Sequence, residues 1–134
     1  MLIKNLIKNN EGLRLKPYRC PSGKLTIGWG RNLDDKGITM AEAERMLDAD
    51  IAIAKLDIYK VFGSQVGQFN DNQYAALVDM IFNLGITKFK KFKKMIQAIK
   101  ERDWGKARAE ALDSRWAKQV PNRATEVTNL FINA

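Results

Sequence analysis

The stretch from Thr39 to Gly63 constrains the fold of this chain more than any other. Thr39-Met40-Ala41-Glu42 has the form of a capping box, in which the threonine hydroxyl and the glutamate carboxylate each accept the other residue's backbone amide. Met40, Ala43, Met46, Leu47, Asp50, Ile51, Ala54 and Ile58 then recur at helical spacing. The pattern predicts a helix of about 22 residues ending near Phe62-Gly63, and at ~1.5 Å per residue it is about 33 Å long. That length is close to the width of a globule built from 134 residues. So long a helix has few placements in so short a chain, and the natural one is a strut between two lobes.

The chain before the strut is turn-rich. Residues 2–10 read as a short amphipathic helix carrying Leu2, Ile3, Leu6 and Ile7 on one side, stopped by Glu11-Gly12. Leu13 to Leu33 reads as strands and turns punctuated by Pro17, Pro21-Ser22-Gly23 and Gly28-Trp29-Gly30, with a hairpin turn at Ser22-Gly23 and another turn at Asp34 to Gly37. Beyond the strut, Asn70 to Gln73 forms a second cap. The segment from Tyr74 to Leu84 is apolar nearly all round, the mark of a helix at the centre of a core, and Gly85 ends it. Further helices are expected at about 92–100, at 104–112 behind Asp103 as cap, and at 122–132 behind Pro121. The fold class is α+β, mostly α: one domain over 1–134, with a small N-terminal β-hairpin lobe at about 12–36, an interlobe helix at about 39–62, and a helical lobe at about 63–134 that also takes in helix 2–10.

Composition removes whole classes of chemistry. The chain has no histidine, so neither a Ser-His-Asp nor a Cys-His arrangement can form within it. A single cysteine excludes an intramolecular disulfide and, without histidine, a structural zinc site. No metal or cofactor is expected. Acid–base work falls to carboxylates, the thiol, lysine or tyrosine. No apolar run approaches the ~20 residues of a membrane span, and residues 1–10 are too short and too interrupted by Lys4 and Lys8 for a signal peptide. The net charge is +8, and residues 88–108 hold nine Lys or Arg against Glu101 and Asp103. Such a patch suits an anionic partner or is a solvated helix face.

Three residues stand out by chemistry. Glu11 lies at the helix-to-strand junction, where partial shielding would raise a carboxyl pKa toward that of a general acid; a plain exposed helix-end glutamate has the same sequence context. Cys20 sits between Arg19 and Pro21 in a turn, where positive charge would favour the thiolate. Thr26, on a strand, could hold a water beside it.

Taken together these residues resemble a known pattern. Glu11, eight residues, Cys20, five residues, Thr26, within EGLRLKPY and LTIGWG, is similar to the Glu-x8-Asp/Cys-x5-Thr motif of the phage-type lysozymes, the endolysins of tailed bacteriophages. GITMAEAERML at 37–47, AALVDMIFNLG at 75–85 and SRWAKQVPNRA at 114–124 resemble, in order, that family's interlobe helix, central helix and arginine-bearing C-terminal segment. The resemblance implies a two-lobed lysozyme-like fold and a monomeric, bacteriolytic hydrolase that cleaves the β-1,4 bond between N-acetylmuramic acid and N-acetylglucosamine in peptidoglycan. It makes Glu11 the proton donor, Cys20 the replacement for the second acidic group, and Thr26 a holder of the attacking water. Cys20 acting as base, nucleophile or water positioner stays open, as does inversion against retention; the family is generally regarded as inverting. Asn32, Phe82 and Asn83 fall at substrate-binding positions. Arg123 is expected to pair with Glu11, and Arg31 with Asp50. Met95 and Glu110 fall where relatives carry small or neutral polar residues that contact sugar. The basic patch then has a partner in anionic envelope polymers, and accumulation in the host cytoplasm before lysis is expected.

Rival readings are a nucleic-acid-binding domain using Lys88 to Lys100 with Phe89 and Phe92, a membrane-disrupting helix over Thr87 to Lys100, and a catalytically dead wall-binding relative. Phe89 and Phe92 fall at core spacing, which argues against the first, and no nucleic-acid partner is expected.

Overall fold

A computed structural model describes residues 1–133. They form eight α-helices, one 3-10 segment and one antiparallel sheet in the order α1 (Leu2–Glu11), β1 (Arg14–Arg19), β2 (Leu25–Gly28), β3 (Arg31–Asn32), α2 (Met40–Phe62), the 3-10 segment Gly63–Gln68, α3 (Asp71–Leu84), α4 (Ile86–Phe89), α5 (Lys93–Lys100), α6 (Trp104–Leu112), α7 (Arg115–Gln119) and α8 (Pro121–Ile132). The fold is the expected mostly helical α+β arrangement with its small sheet near the N-terminus.

The capped long helix is α2. The Thr39 amide donates to Glu42 Oε1 at 2.8 Å and the Glu42 amide to Thr39 Oγ1 at 3.1 Å, and the helix runs for 23 residues. Asn70 and Gln73 close a second capping box on α3. Asp103 accepts from the Lys106 amide to start α6. The sequence pattern does not predict α4 or α7. Each is about one turn long, too short for periodicity to register, although Ser114, which caps α7, is visible as a cap residue.

By residue contacts the chain divides into two units, one of Met1–Met46 and one from Leu47 onward, with the division inside α2. The first unit contains α1 and the three strands, in sheet order β1-β2-β3. Within that unit Lys8 Nζ of α1 lies 4.4 Å from the centre of the Trp29 ring. The second unit contains the apolar core, from Ala54 to Phe131, around the fully buried Leu77 and Met80 of α3. An edge-to-face aromatic chain runs through it: Phe62 to Phe69 at 5.4 Å, Phe69 to Trp104 at 5.3 Å and Trp104 to Phe131 at 5.5 Å. Met95, Ala98 and Ile99 turn the apolar face of α5 into this core. Among the described residues no helix is long and apolar enough to cross a membrane.

Candidate active site

The β1–β2 hairpin positions the cysteine. Tyr18 pairs with Thr26 and Arg19 with Leu25, so the chain must reverse over Cys20 to Lys24. It does so in a tight turn: the Gly23 amide donates to the Cys20 carbonyl at 2.8 Å and the Cys20 amide to the Lys24 carbonyl at 3.0 Å. Gly23 adopts φ +82°, which a side chain would strain. The turn brings Cys20 Sγ to 3.0 Å from Ser22 Oγ. That hydroxyl first, then the Lys24 backbone and, more weakly, the Thr26 hydroxyl, favour the thiolate and lower the Cys20 pKa to about 7. The sequence suggests the charge of Arg19 for this task. The structure gives it to hydrogen bonds, while Arg19 donates to the Gly23 carbonyl at 3.2 Å and pairs with Asp34 at 3.6 Å. Cys20 is half-buried and therefore reachable. Thr26 is buried at 3% exposure, and its hydroxyl donates to the Lys24 carbonyl at 2.9 Å.

Glu11 is the last residue of α1. The helix stops there because Gly12 takes φ +72° and donates its amide to the Lys8 carbonyl. The Glu11 carboxyl lies against the backbone of Gly30 so closely that a Cβ built there would stand 2.5 Å from Oε2 and 2.8 Å from Cδ. Gly30 follows Trp29 in the turn between β2 and β3. The structure therefore brings Glu11 to the β2–β3 turn and Cys20 and Thr26 together at the hairpin, all within the first unit. Among the described residues no hydrogen bond or ion pair links Glu11 to either. Glu11 is exposed, where the sequence suggests partial shielding.

Two supporting pairs differ from expectation. Arg31 pairs with Glu42, not Asp50: Nη1 donates to Oε1 at 2.8 Å, Nη2 contacts Oε2, and Nη1 also donates to the Gly37 carbonyl at 3.1 Å. Glu42 wins because the α2 cap already holds its carboxylate beside the turn that leads from β3. The Arg31 guanidinium, with the Thr39 amide behind it, lowers the Glu42 pKa to about 2. Asp50 is exposed on α2. Arg123 pairs with Asp79 of α3, not Glu11, donating through Nε and Nη2 to its two carboxylate oxygens at 2.9 Å each. This planar fork-to-carboxylate geometry is strong, and α8 carries Arg123 against α3 by helix packing.

The substrate-binding candidates each have their own local partners. Asn32 is occupied by the turn after β3, donating to Asp35 Oδ2 and accepting the Asp35 amide. Phe82 is exposed and lines an apolar groove of about 410 Å³ in the second unit with Leu47, Ile51, Tyr74, Val78 and Arg123. Asn83 accepts the indole N–H of Trp116 at 2.8 Å. Trp116 in turn lines a second cavity of about 680 Å³ with Phe92, Met95 and Glu110, rimmed by Lys88, Lys91, Lys93, Lys94 and Arg115. Met95 itself is buried. The sequence pattern passes over Ser22, Gly30, Lys8 with Trp29, and Asp79. Ser22 sits two positions from the cysteine, and a serine there is a visible donor; the others are contacts across elements that no spacing announces.

The model of the phage lysozyme family matches residues 8–130. The chain is similar to "Probable T4-type lysozyme 2" of Dictyostelium discoideum, 26% identical over 96% of this chain and 92% of that protein. It is similar to the endolysin of Acyrthosiphon pisum secondary endosymbiont phage 1, 34% identical over 87% of this chain and 78% of that protein. It also matches the pre-baseplate central spike protein Gp5 of Enterobacteria phage T4, at 28% identity over 98% of this chain but 28% of the spike protein. With the motif residues gathered in one unit and the family match running almost end to end, the chain belongs to the phage lysozyme family and is a lysozyme-type glycoside hydrolase.

Proposed function

We propose that this enzyme cuts the β-1,4 bond between N-acetylmuramic acid and N-acetylglucosamine in peptidoglycan and so lyses bacteria, with Glu11 as general acid. The observation that carries the reading is the hairpin turn in which a reachable thiol is biased toward its anion, beside the hydroxyl of Thr26. Glu11 gives its proton to the departing glycosidic oxygen as the C–O bond breaks. A water then forms the new bond to the anomeric carbon. Thr26 Oγ1 accepts one hydrogen bond from that water, and the Cys20 thiolate takes its proton. Proton exchange with solvent resets both groups. A water between the two groups implies inversion of the anomeric centre.

The anionic partner is best supported at the cavity beside α5. Among the described residues, no carboxylate lies within ion-pair distance of Lys88, Lys91, Lys93, Lys94 or Arg115. That cluster attracts the charged polymers of the envelope and slows departure from the wall. Phe89 is fully buried and Phe92 packs on Trp116 at 6.2 Å, which leaves the nucleic-acid reading without stacking faces. The membrane reading is weakened because the apolar side of α5 faces the core.

Mass analysis of muropeptides after digestion, with the anomer recorded, tests the bond and the stereochemistry together. The expected products carry reducing-end N-acetylmuramic acid in the inverted configuration. Glu11→Gln is expected to abolish release and Cys20→Asp to preserve it; wild-type release by the Glu11→Gln protein overturns the assignment.

A further inference from the structure

We propose that Lys8 and Trp29 are positioning residues for Glu11, a role that rests on Glu11 being the acid. Within the first unit, helix α1 has little else to fix it. No side chain caps its N-terminus, and none of its residues is buried. Leu2, Ile3, Leu6 and Ile7 are all exposed. A helix of 10 residues held by its own hydrogen bonds is marginal in water. The exception along α1 is Lys8, which is half-buried with its ammonium over the Trp29 ring at 4.4 Å.

The register of the two contacts explains what this does. Lys8 and Glu11 are three residues apart on one side of the helix, an axial rise of about 4.5 Å. Trp29 and Gly30 are consecutive, with Cα atoms about 3.8 Å apart. Lys8 on Trp29 and Glu11 on Gly30 are therefore neighbouring rungs between the last turn of α1 and the β2–β3 turn. The second rung is a bare van der Waals contact and cannot by itself fix the carboxyl. The first rung sets the rotation and the axial position of the helix end, and the carboxyl of Glu11 inherits both. A cation over an indole face suits this use because it is directional yet tolerates water on its outer side. Trp29 is 43% exposed, so the contact sits at the surface without a core to back it.

The test is steady-state kinetics on soluble peptidoglycan oligosaccharides, below the melting temperature of every variant. Lys8→Met is expected to lower kcat about threefold or more, the value of an exposed cation–π contact, and to leave KM unchanged. Lys8→Arg keeps a cation over the ring and is expected to restore kcat. Trp29→Leu should match Lys8→Met, and the double variant should lose no more than either single one. Trp29→Tyr, which keeps a π face, serves where Trp29→Leu fails to fold. Wild-type kcat in Lys8→Met, or equal impairment in Lys8→Arg and Lys8→Met, overturns the proposal. Glu11→Gln assayed alongside separates the two ideas. If it is active, the acid assignment falls and the positioning role falls with it; if it is inactive while Lys8→Met is fully active, the positioning role alone falls.

Discussion

Replacing Gly30 by alanine separates the stability of this enzyme from its activity. Gly30 has φ +77°, and alanine in that left-handed region costs about 1–2 kcal/mol. For a chain of this size that is a fall in Tm of roughly 3–10 °C. The new methyl group would also stand 2.5 Å from Glu11 Oε2, where ordinary contact begins near 3.4 Å, so the carboxyl must retreat by about 0.9 Å. The retreat itself is cheap, because the carboxyl is the free end of an exposed side chain. With Glu11 as the acid proposed above, its effect on catalysis is not cheap: a displacement of about 1 Å in a reacting group lowers rate on the order of 100-fold. Gly63→Ala is the control, since Gly63 has φ +60° with nothing within 4 Å of its would-be Cβ. Both variants should lose similar stability in thermal melts, while only Gly30→Ala should lose clearing of cell-wall suspensions at a temperature where both are folded. Gly30→Ala activity within about twofold of Gly63→Ala would show that the carboxyl's seat on Gly30 does not matter to the reaction.

Ser22→Ala removes the largest cause of the low Cys20 pKa, so the midpoint of iodoacetamide alkylation against pH should move up from about 7 toward the ordinary 9.0 of a free thiol. A midpoint unmoved by the substitution would refute the hydrogen-bond account. Glu42 has its pKa lowered from 4.5 to about 2, so the stability it supplies is present above pH 4.5 and is lost as pH falls toward 2. Thermal melts of wild type and Glu42→Gln should therefore differ at pH 6 and converge near pH 2; a constant gap would mean the Arg31 pair is not its source. Lys91→Glu with Lys94→Glu should weaken retention on purified walls and flatten its dependence on salt, with Tm within about 2 °C of wild type; an unchanged salt profile in a binding assay would remove the cavity from wall recognition.

The parts of the fold that were legible in the sequence are those set by local chemistry. Thr39 with Glu42 and Asn70 with Gln73 announce their helices because a capping box is complete within four residues. The hairpin over Cys20 is legible because Ser22-Gly23 carries its own turn preference. The pairings of the two arginines were not legible. Arg31 has acceptors at several positions along α2, and which one it meets depends on how the turn after β3 delivers it. Arg123 finds Asp79 across a helix packing whose rotation no periodicity fixes to one residue. Gly30 is the clearest case at the site: the sequence shows a turn glycine, and only the fold shows that its missing side chain is the seat of a carboxyl.

The placement of the core has a consequence for how the enzyme fails. Among the described residues every buried apolar one lies between Ala54 and Phe131, whereas the first 46 residues, which carry Glu11, Cys20 and Thr26, bury only Thr26. A segment held by hairpin ladders and surface ion pairs opens at lower free energy than one held by packed aromatics. Warming should therefore silence peptidoglycan hydrolysis while most of the helical circular dichroism persists. A protease admitted at that stage should nick the hairpin first and leave the later helices as a resistant fragment.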